Sequence, residues 1–271
     1  LLKIKELKAT ALMATPTYVL NMAEVCRDKL KINPKDLKIQ KILCAGELGA
    51  SVPAIKNRMQ ELWGAKVYDH ANATEVGGWG YECSFQPGGV HVNEALFLLE
   101  LLDINTEEPV EELHMPGKIV ITAFDRYAQP CIRFDSKDIG MWGKPCECGR
   151  TFRILKGGVL GRVDHITKIK GVLFNPASVE EVVRAIPQLA EEYELIATKK
   201  GAADVIILKV ELVPGTNAGQ EDVRKMLSRQ LRLKTNLSFQ IEFLEYGTLP
   251  RLELKINRFK DARASVDYYG N

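Results

Sequence analysis

The hydrophobic and polar positions of this chain fall into three successive patterns, and the first alternates strands with amphipathic helices. Residues 39–45 and 66–68 are short apolar runs of the length expected for buried strands. Thr15 followed by Pro16 predicts a helix start, because threonine caps helix N-termini and proline is favoured at the first helical position. A further helix is predicted from Pro53. This alternation predicts a parallel sheet up to about residue 87, and ligands usually bind at the carboxyl ends of such strands.

The second pattern, from about residue 88 to 160, consists of short β-type runs separated by glycine and proline. The runs lie at 90–93, 95–102, 117–123 and 131–134. Runs of this kind between turn residues predict a small, mostly antiparallel β subdomain.

The third pattern follows Asp164 and predicts a compact α+β domain. Its elements, in order, are a hairpin at 166–173, a helix capped by Asn175-Pro176, strands at 193–197 and 204–212, a helix at about 219–231 with Val223, Met226 and Leu227 inward, and an alternating strand at 239–243. The predicted fold class is therefore α/β plus α+β. An α/β part with its β subdomain spans 1–162, and a small ferredoxin-like α+β domain spans 163–271.

Composition and charge narrow the class of protein. The 271 residues are 46% hydrophobic and 27% charged, with a net charge of +2, which is ordinary for a globular protein in aqueous solution. This balance gives no reason to expect nucleic acid or a membrane as a partner, and no apolar run approaches the roughly 18 residues of a spanning helix. The first residues lack the apolar core of a signal peptide. We therefore predict a cytoplasmic protein, whose six cysteines are thiols or metal ligands rather than disulfides.

Asp138 and Arg162 are candidates for binding the sugar and phosphate of a nucleotide. A carboxylate accepts two hydrogen bonds and donates none, which suits a pair of ribose hydroxyls. An arginine offers a rigid fork of donors for a phosphate or ribose oxygen. The alternative for Asp138 is an acidic residue of a surface turn, which is the interpretation we give to Asp135.

A hydroxyl and a carboxylate lie side by side at Thr74-Glu75, in the loop predicted after the strand at 66–68. Together they could hold a phosphate oxygen and a magnesium ion, which prefers oxygen ligands. The alternative is a helix cap followed by an acidic residue in the first turn. The two residues alone do not decide between these interpretations.

Cys146 and Cys148 form a Cys-x-Cys motif, and Cys83 and His91 lie upstream with seven residues between them. Three thiolates and one imidazole would complete a tetrahedral zinc site of the structural type. The Cys-x-Cys spacing is tighter than that of the usual zinc knuckle, so free thiols are an equal alternative.

Three segments occur in a fixed order along the chain: Arg133-Phe134 with Asp138, then Gly161-Arg162-Val163-Asp164, then Pro250-Arg251 with Lys255. Their order and spacing resemble those of the adenylate-forming ligases, and within them the phenylacetate–coenzyme A ligase group. The resemblance covers nearly the whole chain but only the later two thirds of such a ligase. It implies part of a large adenylate-binding domain, followed by a mobile C-terminal domain.

The resemblance implies a role for each candidate residue. Ala45-Gly46-Glu47 corresponds to the segment that lines the purine site, Thr74 to a phosphate contact and Glu75 to the magnesium ligand. Asp138 and Arg162 correspond to the nucleotide-binding pair, and Asp164 corresponds to the hinge. Lys255 corresponds to the lysine that contacts the carboxylate and the α-phosphate during adenylation. Ala71 replaces an aromatic ring that packs on adenine in many members, and Asn72 replaces the usual glycine. Some members carry a similar set of cysteines and histidine, which supports zinc at Cys83, His91, Cys146 and Cys148.

The implied reaction has two steps and joins a small-molecule carboxylic acid to a thiol. An aryl acid such as phenylacetate attacks ATP and releases pyrophosphate, leaving an acyl-adenylate. The small domain then turns about Asp164, and the thiol of coenzyme A displaces AMP. The implied cofactors are ATP or AMP, Mg²⁺, coenzyme A and a structural Zn²⁺, in an enzyme of aromatic-acid catabolism.

The Ser/Thr/Gly-rich phosphate loop of such ligases does not occur before Thr15, so we expect this chain alone to be inactive. Two alternatives stay open. One is a related adenylating enzyme that acts on another acid or on a deazaflavin coenzyme, and the other is a non-catalytic, zinc-stabilised binding module. The sequence identifies neither the acid nor the oligomeric state, for which a homodimer is one option.

Overall fold

A computed structural model of the chain describes residues 1–201, 203–216, 219–251 and 258–263. The chain divides into two compact units, Leu1–Asp164 and His165–Asn271. Among the helices of these described ranges, none combines the length and the apolar character that crossing a membrane requires.

The first unit contains three α-helices and ten strands within its described residues. The helices are α1 Leu2–Leu7, α2 Pro16–Asp28 and α3 Pro53–Trp63, and the strands are β1 Ala11–Ala14, β2 Lys41–Cys44, β3 Lys66–Ala73, β4 Gly77–Glu82, β5 Gly89–Val92, β6 Phe97–Leu102, β7 Pro116–Ala123, β8 Cys131–Met141, β9 Ile154–Lys156 and β10 Gly161–Arg162.

The first sheet of this unit has the strand order β1-β2-β3-β4-β5-β9. Its β1-β2-β3 ladders are parallel, as the alternation of strands and helices predicts. Helix α2 begins where the sequence indicates, because the Thr15 hydroxyl accepts a hydrogen bond from the Tyr18 amide at 3.3 Å. Helices α2 and α3 pack over the parallel strands, and the indole of Trp63 donates to the carbonyl of Val19 at 3.1 Å.

Strand β3 is longer than predicted, because the residues expected to form a loop after residue 68 continue the strand to Ala73. They pair antiparallel with β4, with an irregularity between Ala71 and Asn72. Close strand packing depends on Gly80, where a Cβ atom would lie 2.6 Å from Val90 Cγ1.

Thr74 and Glu75 lie in the tight turn that joins β3 to β4. The alternative interpretation of these two residues as a helix cap is therefore wrong.

The second sheet of the first unit is antiparallel and has the order β10-β8-β7-β6. Between the two sheets lies a core that includes Trp79, Val90, Ile119, Ile121 and Trp142. Strand β8 continues to Met141, so Asp138 lies within it instead of after a strand that ends at residue 134. Register shifts accompany this strand, whose residues Arg133 and Lys137 have positive φ values of 50° and 63°.

The second unit contains the hairpin, helices and sheet of an α+β fold. Its described elements are β11 Thr167–Ile169, β12 Val172–Phe174, α4 Ala177–Arg184, β13 Leu189–Lys200, β14 Ala203–Leu212, α5 Gln220–Thr235, β15 Gln240–Leu244 and β16 Phe259–Asp261. The sheet order is β15-β14-β13-β16, in which β13 and β14 are antiparallel and both outer pairs are parallel. Together, the two units confirm the predicted α/β plus α+β fold class.

Helix α5 buries a slightly different face from the one predicted. Val223 and Leu227 are buried as expected, and Leu231 completes the face. Met226, which we predicted to point inward, has 42% of its surface exposed. A period of 3.6 residues places positions 223, 227 and 231 in line, and position 226 lies to one side of that line.

Candidate nucleotide site and metal centre

Asp138 and Arg162 lie directly opposite each other, because β10 pairs with β8 in a register that matches these two residues. Arg162 Nη1 is 3.4 Å from Asp138 Oδ1. The same guanidinium makes a bidentate contact with Asp164, at 2.9 Å from Nε to Oδ1 and 2.7 Å from Nη2 to Oδ2. These hydrogen bonds to Asp164 raise the pKa of Arg162. Arg162 thus joins two of the predicted site residues through one rigid cation.

Ser136 also belongs to this group, although the sequence does not predict it. Its carbonyl accepts from Arg162 Nη1 at 3.2 Å, and its hydroxyl accepts from the Asp138 amide at 3.1 Å. The hydroxyl also donates to the carbonyl of Ile119 at 3.1 Å, which ties β8 to β7. The irregular course of β8 creates these contacts, and the sequence carries no clear signal of it.

The Thr74-Glu75 turn exposes both side chains to solvent. The thiol of Cys131, at the start of β8, donates to the carbonyl of Glu75 at 3.0 Å, so the turn is attached to the strand that carries Asp138. An exposed carboxylate of this kind fits Mg²⁺, which usually binds through one or two carboxylates together with substrate phosphates and water.

The Ala45-Gly46-Glu47 segment follows β2 at the carboxyl end of the parallel strands. Glu47 Oε1 accepts from the amide of Thr17 at 2.7 Å, in the first turn of α2. An acidic side chain is stabilised at this end of a helix. One oxygen of Glu47 therefore caps a backbone amide in the first turn of α2. The contact of this segment with a purine stays a prediction.

A buried polar cluster, which the sequence does not predict, holds β3 in place. Lys56 of α3 forms an ion pair with Glu82 of β4, and the two side chains are 9% and 1% exposed. Glu82 also accepts from the amides of Asp69 and Gly88, at 2.7 and 3.0 Å. Burial raises the pKa of Asp69, whose carboxylate accepts a hydrogen bond from Ser51. The cluster fixes the middle of the strand that ends at the Thr74-Glu75 turn.

Cys83, His91, Cys146 and Cys148 come together, and their ligand atoms all lie within 4.8 Å of one another. The Cys83 and Cys146 sulfurs are 3.5 Å apart, and Cys148 Sγ is 3.5 Å from His91 Nε2. A tetrahedral zinc with bonds of about 2.3 Å to sulfur and 2.0–2.1 Å to nitrogen would separate such ligand atoms by roughly 3.5–3.8 Å. The donor set therefore fits zinc, and among the described residues it is the only group of three or more such side chains gathered in this way.

The surroundings of this Cys/His centre orient its ligands. His91 Nδ1 lies 3.2 Å from the carbonyl of Phe152, an arrangement that leaves Nε2 to face the sulfurs. Hydrogen bonds from the backbone and side chain of Arg150 lower the pKa of Cys148 to about 6. Burial raises the pKa of Cys146 to about 11. The ligands come from the end of β4, from β5 and from the connection between β8 and β9, so a bound ion would join three segments.

The predicted catalytic residue Lys255 lies outside the described residues. Arg251 and Arg258, on either side of it in the sequence, are both described and both form ion pairs.

Comparisons with known proteins give a matching family profile and several similar enzymes. A family profile described as the AMP-binding enzyme C-terminal domain matches residues 171–263. The phenylacetate-coenzyme A ligase of Thermus thermophilus is 29% identical over 280 residues, which cover 96% of this chain and 62% of that protein. The corresponding enzyme of Pseudomonas putida is 29% identical over 268 residues and is covered over 59% of its length. Over nearly its whole length, the chain is similar to phenylacetate–coenzyme A ligases, which are adenylate-forming enzymes. It spans about 60% of the length of these relatives.

Solved structures of adenylate-forming ligases share the fold. The chain of 2-hydroxyisobutyryl-CoA ligase in the postadenylation state, in complex with R3-HIB-AMP, is 27% identical, with a TM-score of 0.90 over 97% of this chain and 57% of that chain. The same ligase with 2-HIB-AMP and CoA, in the thioesterification state, gives a TM-score of 0.59 with the same coverage of this chain and 56% of that chain. An anthranilate CoA ligase in complex with anthranoyl-AMP is 15% identical, with a TM-score of 0.61 over 92% of this chain and 48% of that chain, and shows the shared fold alone.

Proposed function

We propose that this chain carries the nucleotide-binding strands and the hinge of an ATP-dependent acid–thiol ligase. The observation that carries the proposal is the contact of Arg162 with both Asp138 and Asp164, at the end of the first unit. The Asp138 side chain is 21% exposed, which leaves it accessible to a ligand while Arg162 limits its rotation. A carboxylate held in this way is suited to accept hydrogen bonds from two adjacent ribose hydroxyls.

In the first step, a carboxylate oxygen of the acid attacks the α-phosphorus of ATP, and pyrophosphate leaves. The Thr74 hydroxyl binds a phosphate oxygen, and the Glu75 carboxylate would hold Mg²⁺, which neutralises phosphate charge when it is bound. Lys255, outside the described residues, supplies an ammonium group beside the α-phosphate. The protein contributes mainly positioning and charge neutralisation in a reaction of this kind.

In the second step, the sulfur of a thiol attacks the acyl carbon of the adenylate, and AMP leaves. We assign the switch between the steps to rotation about Asp164, the last residue of the first unit. Hinges of enzymes usually lie at a few residues at the ends of elements. This assignment is supported by a similar enzyme, 2-hydroxyisobutyryl-CoA ligase, whose structure has been solved in both a postadenylation and a thioesterification state.

The Cys/His centre has a structural role in this proposal. Zinc bound by four protein side chains has no open position for a substrate, which is typical of structural sites. Bound at this centre, the ion would pin β5 and the connection between β8 and β9 to the end of β4.

The acid substrate is the least constrained part of the proposal. Named relatives act on phenylacetate, which supports an aryl acid. The likeness to 2-hydroxyisobutyryl-CoA ligase supports a short hydroxy acid as the second candidate. A comparison of the two acids as substrates of the complete gene product, by pyrophosphate release, separates these candidates.

Isothermal titration of this chain with AMP, and with ATP in the presence of Mg²⁺, tests the nucleotide site. We expect measurable AMP binding that weakens by about 10- to 100-fold in Asp138→Ala, because a hydrogen bond to a charged group contributes about 1.5–3 kcal/mol. Asp135→Ala is the matched control, since Asp135 lies in the same strand and pairs with Lys118 and Lys137 instead. Equal losses in the two variants would contradict the assignment of Asp138 to the ribose.

Metal analysis of the same samples separates the ligase from a zinc-stabilised binding module. Zinc together with nucleotide binding supports the ligase. Zinc without any affinity for AMP or ATP would favour the module.

A further inference from the structure

A buried carboxylate of the second unit holds the chain just before residues 252–257, the segment that contains Lys255. Glu211 lies in β14, and its side chain has no exposed surface. Arg251 reaches it with two nitrogens, Nη2 at 2.6 Å and Nη1 at 3.0 Å. The amides of Gly247 and Leu249 donate to the same carboxylate at 3.0 and 2.5 Å. All four donors therefore belong to the loop that follows β15.

The loop also packs on the guanidinium that Glu211 binds. Arg251 Nη1 donates to the carbonyl of Leu249 at 2.8 Å, and the guanidinium carbon lies 4.8 Å from the centre of the Tyr246 ring. Although burial alone would raise the pKa of Glu211, the hydrogen bonds from Arg251 and the loop amides hold that pKa below its ordinary value. The side chain is therefore an anion inside the unit, oriented by four directed contacts.

A second ion pair holds the chain just after the same segment. Arg258 has a side chain that is 7% exposed, and its Nη2 lies 3.2 Å from Glu192 Oε2. Its guanidinium carbon lies 5.4 Å from the centre of the Tyr193 ring. The carbonyl of Arg258 accepts from the amide of Leu195 at 2.8 Å, where β16 begins its pairing with β13. The two guanidinium–carboxylate pairs thus lie on either side of a stretch of six residues.

Burial of these charges is costly, and apolar side chains of similar volume often stabilise a fold as well or better. An ion pair with a planar, forked cation has a different advantage, because it fixes the orientation of the chain that carries it. Both ends of the Lys255 segment carry such a cation, and each cation binds a carboxylate of the central strands β13 and β14.

We propose that Glu211 and Glu192 are positioning residues for Lys255: their ion pairs anchor Arg251 and Arg258, the described residues that come directly before and directly after residues 252–257. This inference rests on the proposed function for the task of the lysine, but the clamp itself is testable without any ligase activity. Misplacement of a reacting group by about 1 Å costs on the order of 10²-fold in rate.

Hydrogen–deuterium exchange on this chain tests the clamp directly. In Glu211→Gln we expect amides of residues 245–251 to exchange at least about tenfold faster, while amides of β13 and β14 keep their rates. Glu242→Gln is the matched control, because Glu242 is an exposed glutamate of the neighbouring strand β15 and should change neither set. Unchanged exchange at residues 245–251, or equal acceleration throughout the unit, would overturn the clamp. Arg251→Lys keeps the charge but loses the fork, and it should accelerate the same amides to a smaller extent.

The two half-reactions of the complete gene product test the positioning role. Glu211→Gln should lower kcat for adenylation by on the order of 10²-fold with little change in KM for ATP, and should spare thioester formation from added acyl-adenylate. Equal losses in both half-reactions would overturn the positioning role. If the unaltered protein forms no adenylate, the proposed function fails, and amide exchange alone decides whether the clamp exists.

Discussion

Removal of the Lys56 ammonium should destabilise the first unit through the carboxylate that it leaves behind. The Glu82 side chain is 1% exposed. Among the described residues, Lys56 is the only cation that forms an ion pair with it. Methionine at position 56 keeps the length of the apolar stem and removes the charge. The variant Lys56→Met therefore isolates the cost of an uncompensated buried anion.

The expected loss of stability follows from the contacts that remain. Breaking a buried ion pair by removal of one partner costs about 3–5 kcal/mol. Glu82 keeps two backbone donors in this variant, from Asp69 and Gly88. These donors offset part of the cost, so we expect the low end, about 3 kcal/mol. For a unit of this size, that loss lowers Tm by roughly 6–12 °C.

Tryptophan fluorescence during urea and thermal unfolding measures this change in the first unit. The chain has three tryptophans, and all of them are buried residues of that unit: Trp63, Trp79 and Trp142. Their emission therefore follows the unfolding of the first unit separately from that of the second. Lys3→Met is the control, because the Lys3–Glu6 pair is 68% and 65% exposed and its loss should leave Tm unchanged within error.

The double variant Lys56→Met/Glu82→Gln decides whether the buried charge is the cause. A neutral amide at position 82 carries no buried charge, and its single oxygen can still accept from one of the two backbone donors. The double variant should therefore be more stable than Lys56→Met alone. A loss below about 1 kcal/mol in Lys56→Met, or no recovery in the double variant, would refute the reasoning.

Three further predictions concern the metal centre, the two half-reactions and the response to acid. Cys146→Ser should remove bound zinc, as measured by metal analysis, and should lower the Tm seen by tryptophan fluorescence; retention of one zinc per chain would contradict the ligand assignment. In the complete gene product, Lys255→Ala should abolish adenylation but spare thioester formation from added adenylate, whereas Asp164→Pro should block the thiol step, and equal losses in both steps would argue against these roles. Because the pKa of Glu211 is lowered in the folded chain, its contribution to stability is present above the ordinary value of 4.5 and is lost as the pH falls through the lower folded value. The second unit of Glu211→Gln should therefore show a weaker loss of stability in acid, as followed by circular dichroism, and an acid response identical to that of the unaltered chain would count against this account.

Local patterns in the sequence were sufficient for most helices and for the fold class. The cap at Thr15 and the apolar spacing after it are local signals, and α2 begins where they indicate. The extension of β3 to Ala73 carries no such signal, since its last residues are poor strand formers and pair only because β4 lies beside them. Tertiary pairing overrides propensity there.

The parts of the candidate site that the sequence did not predict are those that depend on contacts between residues far apart in the chain. Asp138 and Arg162 were predicted together as a nucleotide-binding pair, but their direct contact depends on a two-residue strand that pairs with β8. The Lys56–Glu82 and Glu211–Arg251 pairs join residues 26 and 40 positions apart, and a lone charged residue in a sequence does not reveal that it will be buried. The roles of the site residues toward nucleotide and metal stay predictions.

Strand β16 has a consequence for how shortened versions of this chain should be made. It covers one edge of the long strand β13 by pairing with Leu195–Ala197, and it follows the Lys255 segment in the sequence. A version cut after Arg251, intended only to delete the lysine, would also uncover backbone donors and acceptors along β13. Open edges of this kind recruit strands from other molecules, so such a version should self-associate, and a point substitution is the safer way to remove the lysine.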